Sequence, residues 1–286
     1  MGLTLDMNVS VIARDLALEV PNFVKRTPAA SGWVREVLSE AFVRSSREYR
    51  TILDGLDFRF DDGDRVAILG RNGAGKTTLL RVLSGAFQPT SGSVVLNGTR
   101  QALLNLSLGF NQNATVRENI FLRGTAMGFS LSTMSELAGT ILDFAGLSTV
   151  AQHRLLTLSS GQRMRLGFAI STAVQHDIML MDEWFGAGDA SFVSKARARL
   201  SDRVDGCRIM VMASHNLGTV RKTCNRGLVL DGGRQVFLGP VEEAIDAYKE
   251  IYQALPGYVP RREKRPVNAK KRKAAAPRDR GKTPAA

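Results

Sequence analysis

Three short, unbroken apolar runs stand out along the chain, at residues 66–69, 178–181 and 209–213. Runs of this length without polar alternation predict strands buried on both faces, as in a parallel sheet covered by helices. Each is closed by glycine or polar residues: Gly70 after the first, Asp182 and Glu183 after the second, Ser214 and His215 after the third. In an open parallel α/β sheet, the C-terminal ends of the strands form the edge where ligands bind. The first run leads directly into a helical pattern that starts near Lys76, which predicts strand, tight loop, helix. Leu96-Asn97-Gly98 and Leu230-Asp231-Gly232-Gly233 predict hairpin turns, and so some antiparallel strand beside the parallel core. Between residues 112 and 172 the apolar spacing is helical and predicts a helical insertion. There is no internal repeat and no heptad run.

Nearer the N-terminus, Trp33, Val34, Val37, Leu38, Ala41 and Phe42 fall on one face of a helix predicted over about residues 32–46. Arg35, Glu36, Glu40 and Arg44 occupy the rest, and Lys25, Arg26, Arg47 and Arg50 bracket it. Two readings stand side by side: an ordinary helix packed on its own domain, or one lying at a membrane interface or against a membrane partner.

Composition changes the picture mostly at the other end. With 286 residues and 44% hydrophobic content, the chain can bury one large core and carry an appendage, so one domain over residues 1–255 is expected. Of the net charge of +12, residues 256–286 supply +9: eleven Lys or Arg against Glu263 and Asp279. That stretch is rich in Pro and Ala and poor in large apolar residues, and is expected to be disordered. It serves either as a contact for an anionic membrane leaflet or nucleic acid, or as a solvated tail. No apolar run approaches the roughly 18–20 residues of a membrane-spanning helix, and no signal-peptide pattern opens the chain, so a cytosolic location is expected. Cys207 and Cys224 lack metal-ligand or redox spacing and read as reduced structural thiols.

The strongest chemistry sits at the first strand end. Gly70-Arg71-Asn72-Gly73-Ala74-Gly75-Lys76-Thr77 matches G-x-x-x-x-G-K-[ST] at a strand-to-helix junction. Its glycines let the backbone N–H groups curl around the β- and γ-phosphates of ATP, and the helix N-terminus adds its positive end. Lys76 supplies a full charge, Thr77 a hydroxyl for Mg2+, and Thr78 a further phosphate hydrogen bond. Asp182, ending an apolar strand, is placed to hold the Mg2+ shell. Glu183 is the candidate to orient and partly deprotonate the attacking water. His215, at the third strand end, is the candidate sensor of the γ-phosphate.

Leu158-Ser159-Ser160-Gly161-Gln162, leading into a helix, offers a second anion site at a helix N-terminus. It resembles the LSGGQ signature of ABC ATPases. The resemblance spans about residues 50–245. It implies an α/β fold: a P-loop NTPase with a RecA-like parallel-sheet core, an antiparallel β subdomain and a helical subdomain at about 112–172. It also implies that Ser159, Ser160, Gly161 and Gln162 face the ATP of a second copy, so that hydrolysis requires a head-to-tail homodimer. Gly186-Ala187-Gly188-Asp189 matches the D-loop, with Asp189 at the shared nucleotide, and His215 matches the switch histidine. At the Q-loop the chain departs from the family, reading Asn105-Leu106-Ser107 with Gln112 somewhat later; Phe23 is the candidate adenine-stacking aromatic.

Within that family, GRNGAGKTTLL, SSGQRMRLGFAIS, DEWFGAGDASF and SHNLGTVRKTCNRGLVLDGG are similar to the subunits that export capsular polysaccharide and O-antigen. This resemblance implies a separate multi-spanning permease subunit, a peripheral place on the cytoplasmic face of the inner membrane, and a lipid-linked glycan as cargo. Two other readings share the core chemistry: a soluble ABC ATPase acting on nucleic acid or ribosomes, and an importer ATPase. The chain has neither the coiled-coil interruption of the repair proteins nor the tandem cassettes of the translation factors, so no nucleic-acid partner is expected.

Overall fold

A computed structural model describes residues 8–23, 47–104, 106, 109–183 and 190–253. The predicted helix at 32–46, the tail at 256–286, Asn105, Ser107 and the segment Gly186-Ala187-Gly188-Asp189 lie outside the described residues, as does the side chain of Phe23. Two sheets build the frame. A three-stranded antiparallel sheet has the order β2 (Arg47–Asp61), β1 (Ser10–Phe23), β4 (Ser91–Asn97). A six-stranded sheet runs β5 (Arg100–Leu103), β6 (Ile178–Asp182), β7 (Ile209–Ala213), β3 (Arg65–Gly70), β8 (Arg226–Asp231), β9 (Arg234–Pro240). All its neighbours are parallel except β8 and β9.

The three apolar runs are the inner strands β3, β6 and β7, and their alternation divides them between two cores. Val66, Ile68, Ile178, Leu180, Ile209 and Val211 face the antiparallel sheet and α1 (Lys76–Leu83). Ala67, Leu69, Met179, Met181, Met210 and Met212 face α5 (Ala190–Gly206), α6 (Leu217–Thr223) and α7 (Val241–Gln253). Burial on both faces is why these strands show no polar alternation.

A third core belongs to the helical region: α2 (Val116–Ala126), α3 (Leu131–Ala145) and α4 (Ser160–Ser171). Thr115 and Glu118 form a reciprocal capping box that starts α2, and Gly146, at φ +67, ends α3. A Cβ at Gly124 would fall 2.0 Å from the Met134 sulfur, so glycine sets the close approach of α2 to α3.

One expected hairpin is present and the other is not. Asp231 pairs with Arg234 across Gly232 and Gly233, both at positive φ, as a two-residue turn between twisted strands requires. Asn97-Gly98, however, joins strands of different sheets: β4 pairs with β1, and β5 with β6. The cause is Asp177, whose carboxylate accepts from the Thr99 N–H at 2.8 Å and hydroxyl at 2.7 Å and draws the chain out of the antiparallel sheet. Those hydrogen bonds hold the Asp177 carboxyl below the usual carboxylate range.

Candidate functional site

The loop after β3 turns back on itself, with the Ala74 N–H donating to the Arg71 carbonyl at 3.1 Å. Gly73 and Gly75 adopt φ of +82° and +100°. A Cβ at Gly75 would also meet Leu53 of β2 at 2.8 Å, so this turn admits only glycine without displacement. Arg71, Asn72 and Gly73 are exposed, whereas Ala74 is buried. No side chain caps the first turn of α1, which leaves its N–H groups and positive dipole end turned to the loop. The ammonium of Lys76 is buried and donates to the carbonyls of Gly70 and Arg71 at 2.8 and 2.9 Å. Burial pushes its pKa below that of an ordinary lysine, while the carboxylates of Asp182 and Glu183 act the other way.

The next residue, Thr77, donates its hydroxyl to Asp182 Oδ2 at 2.7 Å, joining α1 to the end of β6. Both side chains are half-buried, and together they present hard oxygen donors of the kind Mg2+ prefers. Thr78 follows, half-buried on the same turn. Glu183 keeps the β6–β7 ladder through its N–H to the Ala213 carbonyl at 2.8 Å, yet its φ is +65°. That conformation costs an L-residue about 1–2 kcal/mol. It carries the chain out of the strand at an exposed carboxylate that acts on Lys76 of the phosphate site. His215 lies in the bend after β7, between Ser214, which accepts from the Asn216 N–H, and Asn216, which caps α6. Its imidazole is exposed and makes no hydrogen bond among the described residues.

The second anion-binding candidate stands on the helical region. Ser159 caps α4: its hydroxyl accepts from the Gln162 N–H at 3.2 Å, and Gln162 Oε1 accepts from the Ser159 N–H at 2.9 Å. Because the hydroxyl serves here as acceptor, its proton remains available to a phosphate oxygen. Ser160 and Gly161 are exposed at the same helix start. Gln112 does not join the phosphate loop; its Oε1 accepts from Arg163 of α4 at 3.3 Å.

Sequence reasoning missed a third feature. A cavity of about 650 Å3 opens between the core and the helical region, lined among others by Ser84, Arg100, Gln101, Arg123, Phe129 and His176. Gln101 is 4% exposed, and neither of its amide atoms has a hydrogen-bond partner among the described residues. Arg123 donates to the Leu106 carbonyl and stacks on Phe110, and its burial brings its pKa down to about 10. In sequence Gln101 is one polar residue of a four-residue strand, and nothing local marks it.

Comparison with known proteins bears on this arrangement. A family profile described as ABC transporter matches residues 53–186. The chain is 33% identical to the O-antigen export system ATP-binding protein RfbB of Myxococcus xanthus, over 84% of this chain and 56% of that protein. It is 37% identical to RfbE, of the same description, from Yersinia enterocolitica, over 64% of this chain and 77% of that one. To the teichoic acids export ATP-binding protein TagH of Bacillus anthracis it is 34% identical, over 75% of this chain and 39% of that one. It therefore spans only about half the length, or less, of two of these three relatives. Among solved structures, an ATP-binding subunit of an ABC transporter superposes with a TM-score of 0.61 at 18% identity, over 84% of this chain and 98% of that one. A dimeric ATP-binding cassette in a post-hydrolysis state, bound to ADP and Pi, gives 0.58 at 20% identity, over 81% and 98%.

Proposed function

The chain belongs to the family of ABC transporter ATP-binding proteins, and from that premise we propose that it hydrolyses ATP to drive export of a cell-surface polysaccharide. The observation that carries the chemistry is the Thr77 to Asp182 hydrogen bond, which gathers the phosphate loop and the end of β6 into one site. In the proposed cycle Lys76 exchanges its two carbonyl partners for β- and γ-phosphate oxygens, and the N–H groups of residues 73–78 surround them. Mg2+, held by Thr77 and Asp182, would offset the phosphate charge. Glu183 orients the attacking water and accepts its proton, and His215 donates to the γ-phosphate from the neighbouring strand end. Ser159, Ser160, Gly161 and Gln162 close over the nucleotide of a second copy, with Asp189 at the seam, so the working form is a head-to-tail homodimer.

The cargo reading rests on the relatives' names: O-antigen and teichoic acid export. No helix among the described residues is long and apolar enough to cross a membrane. In this reading the path through the bilayer is supplied by a separate multi-spanning permease, as the resemblance to polysaccharide exporters implies. The Gln101 amide, without a partner among the described residues, favours the cleft between core and helical region as the permease's seat, because a buried amide calls for a partner. The protein then sits peripherally on the cytoplasmic face of the inner membrane, with no nucleic-acid partner. The test is replacement of the native chain by Glu183→Gln in cells. Surface glycan should disappear and lipid-linked glycan should accumulate inside; unchanged surface glycan would overturn the export reading.

A further inference from the structure

Phe144, in the last turn of α3, is among the described residues the one partly buried phenylalanine that packs against both the core of the helical region and the core beneath the parallel sheet. Its ring lies 6.0 Å from Phe168 of α4 and 5.8 Å from Phe192 of α5. Phe168 and Phe192 meet edge to face at 6.0 Å, closing a triangle with one ring from each helix. Pairs in these geometries attract beyond the area they bury. Two cations of α5 hold the same ring: Lys195 Nζ at 4.5 Å and the Arg199 guanidinium at 3.9 Å from its centre. Lys195 also donates to the Phe144 carbonyl at 3.3 Å, at the negative end of α3. Arg199 Nη1 is buried with no hydrogen-bond partner among the described residues, and the ring face attracts its guanidinium alongside the carboxylate of Asp202. Arg165 of α4 lies over Phe192 in the same way, 5.8 Å away.

The two helices that Phe144 joins have separate tasks. α4 begins at Ser159-Ser160-Gly161-Gln162, and α5 follows the segment that leaves Glu183. In the head-to-tail arrangement proposed above, on which this inference rests, those two elements of one protomer serve two different ATP molecules. We propose that Phe144 is a positioning residue that couples the two ATP sites by fixing the signature helix against the helix that follows Glu183. A shift of α4 on closure over one nucleotide is passed through the aromatic triangle to α5 and the Glu183 end of β6 at the other. No part of the triangle belongs to the phosphate loop, so nucleotide affinity should not depend on it.

The experiment compares Phe144→Leu and Phe144→Tyr with the natural chain, each full-length and purified in the same way. It reads ATP turnover against ATP concentration, equilibrium ATP binding and melting temperature. Phe144→Leu keeps an apolar side chain but loses the ring; turnover should fall about tenfold, as expected for a small misplacement of reacting groups. ATP affinity should stay within about twofold, and the Hill coefficient should drop toward about one, as expected when coupling between sites is lost. Phe144→Tyr, which restores the ring, should restore both rate and cooperativity. Unchanged turnover and cooperativity in a folded Phe144→Leu would overturn the proposal. So would a joint fall of melting temperature, affinity and turnover, which marks a scaffold role, or a natural chain without cooperativity. Glu183→Gln run in parallel separates the two levels: if it turns over ATP normally, the catalytic reading fails; if it is dead and Phe144→Leu is not impaired, only the coupling fails.

Discussion

The two ends of the parallel sheet are built from similar residues and do opposite things with them. Where the strands begin, charges are consumed. The Arg65 guanidinium donates to the carbonyls of Val204, Cys207 and Arg208, while the Arg65 backbone N–H donates to Asn225 Oδ1. Asp64 accepts from Arg226 and from the Asp61 N–H, and Asp62 pairs with Arg208. Where the strands end, the Lys76 ammonium donates to loop carbonyls, Glu183 is exposed at a positive φ, and the His215 imidazole makes no hydrogen bond among the described residues. Saturated groups stabilise; groups left with capacity are free to bind and react. Substitutions at the two ends should therefore separate rate from stability.

The largest effect is expected from Glu183→Gln. Removing a positioned general base while keeping its shape should lower kcat at least ~100-fold and leave ATP affinity within about twofold. Single-turnover hydrolysis beside nucleotide binding measures both, and a variant with near-normal kcat would remove Glu183 from the mechanism. Next comes Lys76→Ala. A charged hydrogen bond contributes about 1.5–3 kcal/mol, so ATP should bind roughly 10- to 150-fold more weakly, with little change in urea unfolding.

How much of this contrast is legible in the sequence differs between the two ends. Strand-end chemistry is local: Gly70 to Thr78 form one continuous strand end, loop and helix start, and Asp182-Glu183 close an unbroken apolar run, so both can be read from neighbours along the chain. The saturated end is assembled from Asp64, Arg208 and Arg226, which are far apart in sequence and carry no pattern of their own. The same division explains the misread turn. Asn97-Gly98 has the local chemistry of a hairpin, but Asp177, distant in sequence, decides which sheet receives the next strand. Gln101 and Phe144 are invisible for this reason too: each matters through partners on other elements.

At the saturated end, Asp64→Asn should cost stability and nothing else. Its carboxylate holds Arg226 and the Asp61 N–H in a partly buried setting, so unfolding should become about 1–2 kcal/mol easier. Measured by urea titration with ATP turnover per folded molecule as control, a fall in turnover at full stability would contradict the division between the ends.

At neutral pH the smallest effect lies beside Arg65, because it appears only in alkali. Cys224, at the end of α6, is buried, and burial pushes its thiol up to about 12, partly countered by Arg65. In the unfolded chain the same thiol ionises near its ordinary value of about 8.5–9. Below that value both states hold the proton, and the thiol contributes its full share to stability. Between about pH 9 and 12 the unfolded chain releases the proton and the folded one keeps it, so stability falls as pH rises through that window. Cys224→Ala should make the alkaline decline shallower while leaving stability at pH 7 changed only by the small loss of packing. Thermal unfolding across pH 8 to about 11 checks it: identical slopes for the two chains would mean that the thiol is not held protonated at this end of the sheet.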